Sequence, residues 1–133
     1  MFLAINADNL TNFDLGVLIN AHRAGGAIAT LSLFQASDPT QVGVVELNAG
    51  LVVGFEKPAE PRGDLANAGM YAFAPAVIDE ISGPDPRDIG FHLLPRLIGR
   101  ARAVALNGSY FIDIGTPEAL RRARDDWESR VEA

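Results

Sequence analysis

Phe2-Leu3-Ala4-Ile5-Asn6-Ala7-Asp8 passes from four apolar residues into a turn and a carboxylate. A strand that is apolar at nearly every position belongs inside a sheet, with neighbours on both sides and helices on both faces. Residues 2–6 are therefore expected to form an interior strand. Opening a domain on its central strand leaves little chain upstream to cover it, so further residues are expected ahead of Met1 in the complete fold. Asp8 falls at the C-terminal end of this strand, where α/β sheets bind ligands in a crevice. A hard oxygen donor there suits Mg²⁺, which takes one or two carboxylates together with substrate phosphates. The alternative role is an Asx turn or a cap for the next helix.

Working outward, Thr11 and Asn12 are candidate caps for a helix that runs to about Ala24 and stops at Gly25-Gly26. Ala27 to Gln35 reads as a second internal strand. Val42 to Leu47 and Leu51 to Glu56 flank Asn48-Ala49-Gly50, a hairpin signal. Gly69 to Phe73 is a strand, and Pro75 to Ile81 a short helix. Phe91 to Arg100 is helical, with Pro95 kinking or restarting it. Short strands follow at Ala101 to Leu106 and Tyr110 to Ile112, and Thr116-Pro117-Glu118 opens the last helix. Strands, helices and a hairpin in this order predict a mixed α/β layer fold.

The chain has 133 residues, enough for one domain or part of one. Its formal charge of −6 and lack of a basic stripe argue against a nucleic-acid surface. It contains no cysteine, so disulfides and thiolate metal sites are excluded. No apolar run reaches membrane-spanning length and the N-terminus has no signal-peptide layout, so a soluble, cytoplasmic protein without a membrane partner is expected. His22 and His92 lie in helical contexts without a second ligand at metal spacing and read as structural. Glycine-rich Walker-type, dinucleotide-binding and nucleophile-elbow motifs are all missing.

Lys57 is the only lysine, beside ten arginines. In Gly54-Phe55-Glu56-Lys57-Pro58 it offers a compact cation for a phosphate, with the Glu56 carboxylate beside it for hydroxyl groups; a surface ion pair at a strand end is the alternative. Asp113 lies between Ile112 and Ile114, where burial demands a partner or a metal. The strand-to-helix turn after it aims backbone N–H groups at an anion. Alternatively Asp113 only braces that turn while Thr116 caps the helix. Asn67 presents an amide that both donates to and accepts from sugar hydroxyls, near Gly69, which permits close backbone approach. Gly43 is either a flexible strand start or a place where a ligand lies on the backbone.

Asn6-Ala7-Asp8, Gly43-Val44-Val45-Glu46, Phe55-Glu56-Lys57-Pro58, Asn67-Ala68-Gly69-Met70-Tyr71 and Phe111-Ile112-Asp113-Ile114-Gly115-Thr116-Pro117-Glu118 together resemble the sugar-1-phosphate nucleotidyltransferases. The last segment looks most like guanylyltransferases acting on mannose 1-phosphate or a heptose 1-phosphate. The resemblance implies attack of a sugar-1-phosphate oxygen on the α-phosphate of an NTP, giving NDP-sugar and pyrophosphate. It implies Asp8 and Asp113 as carboxylates holding catalytic Mg²⁺, and Lys57 on the sugar phosphate. It also implies Glu56 and Asn67 on sugar hydroxyls, and Gly43 as a backbone contact to the sugar. The implied fold is a partial Rossmann-like, glycosyltransferase-A-like mixed sheet with flanking helices, its N-terminal half absent. The family's glycine-rich NTP-binding loop has no counterpart here. Residues 1–133 are thus expected to be a C-terminal portion, supplying the sugar and metal sites and inactive alone. Two other roles stand beside a fragment of an enzyme: a sugar-phosphate-binding or regulatory module completed by a partner chain, and a structural remnant. The exposed sheet near residues 2–6 is expected to favour self-association.

Overall fold

The computed structural model describes residues 1–56, 60, 62–81, 83 and 88–131. Eight strands are described: β1 (Phe2–Ile5), β2 (Asn9–Thr11), β3 (Ala29–Gln35), β4 (Val44–Asn48), β5 (Leu51–Glu56), β6 (Leu65–Phe73), β7 (Ala101–Ala105) and β8 (Phe111–Asp113). Six form one mixed sheet in the order β1-β6-β3-β7-β5-β4, in which only β3 and β7 run parallel; β2 and β8 pair separately.

Strand alternation divides the interior into two cores. On β6, Ala68, Met70 and Ala72 face helix α1 (Leu15–Gly25) and its buried Leu18. Tyr71 and Phe73 face the other way, toward Leu31 and Leu33 of β3 and the buried Val77, Leu94 and Leu97. Val77 opens the short helix α2 (Val77–Glu80). A third helix, α3 (Pro117–Val131), closes the described chain, its start capped by Thr116 Oγ1, which accepts from Ala119 N–H at 3.1 Å. The result is a sheet with helical segments on both faces, the layer architecture expected from the element order.

Local chemistry sets the boundaries. The β4–β5 hairpin closes on Ala49 (φ 50°) and Gly50 (φ 78°), the two positive-φ positions that a tight primed turn needs. Helix α1 ends at Gly26, in the left-handed conformation. Its start is not the expected one. Asp14 caps it, accepting from Gly16 N–H at 2.7 Å. Thr11 and Asn12 instead tie down the chain before β8: Thr11 Oγ1 donates to the Tyr110 carbonyl, and Asn12 Oδ1 accepts from Tyr110 N–H. The expected helix at 91–100 is a wide turn over Ile89–Leu93 followed by a tight one over Leu94–Leu97. Pro95 has no N–H to continue an α-helical ladder.

The expectation for residues 2–6 also needs correction. Among the described residues β1 pairs with β6 alone and is the edge of the sheet. Phe2 and Ile5 are 39% and 47% exposed, although Phe2 also packs on Phe73 with ring centroids 5.6 Å apart.

His22 is buried on α1, with Nδ1 3.0 Å from the Thr30 hydroxyl of β3. Burial lowers its pKa from 6.5, and the N-terminal ammonium lowers it further. The unfolded chain therefore takes up this proton at higher pH than the folded one. The stabilisation is complete above about pH 6.5 and is lost as pH falls from there through the depressed folded value. Urea midpoints are expected to decline between pH 7.5 and 5, and His22→Gln is expected to flatten that decline. An unchanged slope in the variant contradicts this assignment.

Candidate functional site

The site is organised by an irregularity in β6. Leu31 of β3 lies opposite Tyr71 and Leu33 opposite Asn67, so Ser32 alone faces residues 68–70. Gly69 occupies φ +69° at this bulge, where β-carbons are strained. The displaced backbone groups find partners: Ser32 Oγ donates to the Met70 carbonyl at 2.9 Å, Asn9 Nδ2 to the Ala68 carbonyl at 2.6 Å, and Asn6 N–H to the Gly69 carbonyl at 2.9 Å. Asn67 Oδ1 accepts from Gly69 N–H at 3.0 Å, and its Nδ2 donates to Tyr71 Oη at 2.8 Å. Tyr71 is buried. Desolvation raises its phenol pKa above 10.0, against a smaller lowering by the Asn67 bond, and the charge of Asp88 raises it further. The phenol thus stays neutral and fixes the Asn67 amide, leaving that amide a second N–H.

Strands β2 and β8 bring the two candidate metal ligands together. Their antiparallel ladder pairs Asn9 with Asp113, and Ile114 N–H donates to the Asp8 carbonyl at 2.8 Å. A Cβ built on Gly115 would lie 2.9 Å from Asp113 Oδ1 and 3.6 Å from Asp8 Oδ2. The two carboxylates therefore border the same small volume, separated in sequence by the length of the domain. Asp113 is exposed rather than buried between its isoleucines, because strand alternation turns it outward. Its Oδ1 also accepts from Gly115 N–H at 2.7 Å, so bracing of the turn and a ligand role coexist.

Between the bulge, β4–β5 and the turns at 89–97 lies a cavity of about 580 Å³. Asn6, Asn9, Glu56, Asn67 and Asp113 give it polar walls, and Gly43 lines it with open space where a side chain would stand. Phe34, Phe55, Phe91, Leu94, Pro95 and Phe111 give it apolar ones. Four expected site residues, Gly43, Glu56, Asn67 and Asp113, thus meet on one cavity, with Asp8 beside Asp113. Lys57 lies outside the described residues. No group of three or more acidic, histidine or cysteine side chains suited to a metal occurs among the described residues. Two carboxylates open to solvent nevertheless fit Mg²⁺ completed by substrate phosphates. His22 is a satisfied core histidine, and His92 Nδ1 accepts from Asp88 N–H at 3.0 Å.

Sequence reasoning passed over Asn9, Tyr71 and Phe91. Tyr71 falls within the strand read at Gly69 to Phe73, and no local pattern singles out Asn9. The one local signal near Phe91 is Pro95, four residues on, which has no N–H to bond the Phe91 carbonyl and so breaks a regular helix there.

The family model described as nucleotidyl transferase matches residues 1–130. A mannose-1-phosphate guanylyltransferase of Mycobacterium tuberculosis is 35% identical over 131 residues, which cover 93% of this chain and 36% of the relative. A probable mannose-1-phosphate guanylyltransferase 2 of Oryza sativa subsp. japonica is 32% identical over 120 residues, covering 87% and 33%. The chain spans about a third of the length of these curated relatives. Among solved structures, HddC from Yersinia pseudotuberculosis superposes with a TM-score of 0.77 at 22% identity, covering 95% of this chain and 55% of that one. A putative glucose-1-phosphate thymidylyltransferase from Bacillus anthracis gives 0.75 at 23%, covering 92% and 52%. These likenesses place the fold among the nucleotidyltransferases.

A Cβ on Gly69 would collide with Asn6 Nδ2 and lie 2.7 Å from Asn9 Nδ2, in addition to the positive φ. Gly69→Ala is expected to destabilise the domain by about 2–4 kcal/mol, measured by urea unfolding. A loss below about 0.5 kcal/mol would show that the bulge is not the constraint described.

Proposed function

Because the chain belongs to the nucleotidyl transferase family, we propose that it serves transfer of a nucleotidyl group from an NTP to a sugar 1-phosphate, giving NDP-sugar and pyrophosphate. The observation that carries this reading is the meeting of Glu56, Asn67, Gly43 and Asp113 on one cavity, with Asp8 against Asp113. Relatives named for mannose 1-phosphate support a sugar 1-phosphate as the acceptor.

In this mechanism the Glu56 carboxylate accepts from sugar hydroxyls and the Asn67 amide donates its free N–H to another. Gly43 lets the sugar approach the backbone. Lys57 takes the sugar phosphate and holds its oxygen in line with the α-phosphate of the NTP. Asp8 and Asp113 would hold Mg²⁺, which when bound would neutralise phosphate charge. Positioning and neutralisation are the main requirements of phosphoryl-type transfer, so no protein nucleophile is needed. The sequence supplies no glycine-rich loop for a triphosphate, so these 133 residues bind sugar phosphate without completing transfer by themselves. Among the described residues no helix is long and apolar enough to cross a membrane. A cytoplasmic setting accords with the cysteine-free composition. The free edge of β1, with exposed Phe2 and Ile5, offers backbone groups for self-association.

Calorimetric titration is expected to show binding of mannose 1-phosphate or glucose 1-phosphate in Mg²⁺ but not in EDTA. Lys57→Ala is expected to weaken it roughly 10- to 100-fold, and Asp8→Asn with Asp113→Asn to remove the metal dependence. Binding indifferent to EDTA and to all three changes overturns the site assignment, and NDP-sugar synthesis by the purified chain overturns its inactivity alone. Light scattering should report species larger than a monomer at micromolar concentrations; a monomer throughout removes the edge-pairing proposal.

A further inference from the structure

Phe91 is 84% exposed, far more than any other large apolar side chain among the described residues that the cavity touches. Single exposed apolar residues are ordinary on protein surfaces, so exposure alone has no consequence. Two further features distinguish this one. First, its backbone is fixed. Phe91 N–H donates to Asp88 Oδ1 at 2.7 Å, Leu94 N–H closes the wide turn onto the Ile89 carbonyl, and the adjoining Leu93 and Leu94 are buried at 4% and 1% exposure. A ring held out from a well-anchored turn has lost backbone freedom without gaining packing. Second, Phe91 lines the cavity that carries Glu56, Asn67 and Asp113. One wall thus offers hydroxyl-binding groups and another includes an exposed aromatic residue.

A pyranose ring matches that division: hydroxyls project around its rim, while a face made of C–H groups is apolar. We propose that Phe91 is a substrate-positioning residue whose ring covers the C–H face of the sugar, while Glu56 and Asn67 take its hydroxyls. This rests on the sugar-phosphate reading of the cavity and extends it. Lys57 and the metal carboxylates recognise the phosphate, which all sugar phosphates share; the Phe91 ring recognises the presence of a sugar ring. Affinity for sugar 1-phosphate is therefore expected to depend on Phe91, and affinity for inorganic phosphate is not.

The experiment titrates the parent chain, Phe91→Ala and Phe91→Tyr with mannose 1-phosphate, glucose 1-phosphate and inorganic phosphate, each in Mg²⁺, by calorimetry. Circular dichroism verifies that the variants stay folded, as expected for a ring so exposed. Phe91→Ala is expected to bind at least one sugar phosphate roughly tenfold more weakly, with inorganic phosphate unchanged and Phe91→Tyr near the parent. Sugar-phosphate affinity of Phe91→Ala within twofold of the parent overturns the assignment. So does equal weakening toward inorganic phosphate, which would mark a general disturbance of the site. So does a change confined to self-association, which would make the ring a protein contact. A parent chain that binds no sugar phosphate overturns the cavity's reading and this assignment with it, whereas parent binding with an indifferent Phe91→Ala removes this assignment alone.

Discussion

The left-handed conformation of Gly69 is the constraint on which the site depends. A β-carbon there would meet the amides of Asn6 and Asn9, so only glycine lets the end of β1 and the start of β2 lie against the β6 bulge. Asn9 is anchored to the Ala68 carbonyl and is also the residue opposite Asp113 in the β2–β8 ladder. A single backbone conformation in the middle of the sheet is thus linked, through two asparagines and one short ladder, to the approach of two carboxylates more than a hundred residues apart. The same bulge turns Asn67 so that Gly69 N–H and Tyr71 Oη hold its amide. Deforming a strand leaves backbone groups without their ladder partners, and burying such groups unpaired costs about 1–3 kcal/mol each. Here side chains of Ser32 and Asn9 satisfy them. The irregularity is tolerable because the polar residues around it complete its hydrogen bonds.

Much of this was legible in sequence where local chemistry decides the outcome. Asn48-Ala49-Gly50 gave the hairpin, Gly25-Gly26 the end of α1, and Thr116-Pro117 the start of α3, since each is governed by dihedral preference or a cap within a few residues. Legibility failed where a distant partner competed. Thr11 and Asn12 are good caps by type, yet their polar atoms bind Tyr110 across the molecule, leaving the cap to Asp14. The apolar run at residues 2–5 signalled burial, but pattern alone does not say whether the second neighbour of a strand is present, and in this structure β1 is an edge. Asp113 looked buried because of its flanking isoleucines; alternation gives adjacent residues opposite environments. The candidate site residues are named in sequence by type and order, while the approach of Asp8 to Asp113 comes from the β2–β8 pairing, which no local pattern announces. Phe91 escaped notice because an aromatic residue in a presumed helix is ordinarily core.

Charge explains why such a site would need both its carboxylates and a cation. The chain carries a net formal charge of −6, and Asp8, Asp113 and Glu56 all border the region assigned to a phosphate-bearing ligand. Two like charges about 4 Å apart repel by about 1 kcal/mol in bulk water and about 4 kcal/mol at the effective dielectric of a protein surface. Carboxylates bordering a phosphate-bearing ligand therefore oppose its binding unless cations offset them. Under the proposed function, Asp8 and Asp113 would hold a divalent ion, and its charge would offset these repulsions. Under the proposed function, the acidic pair thus makes phosphate binding conditional on the metal. The apolar wall and Phe91 act on a part of the ligand that feels none of this charge. Under these two proposals recognition would divide accordingly: the metal side would govern whether a phosphate enters, and the ring side what the phosphate carries with it.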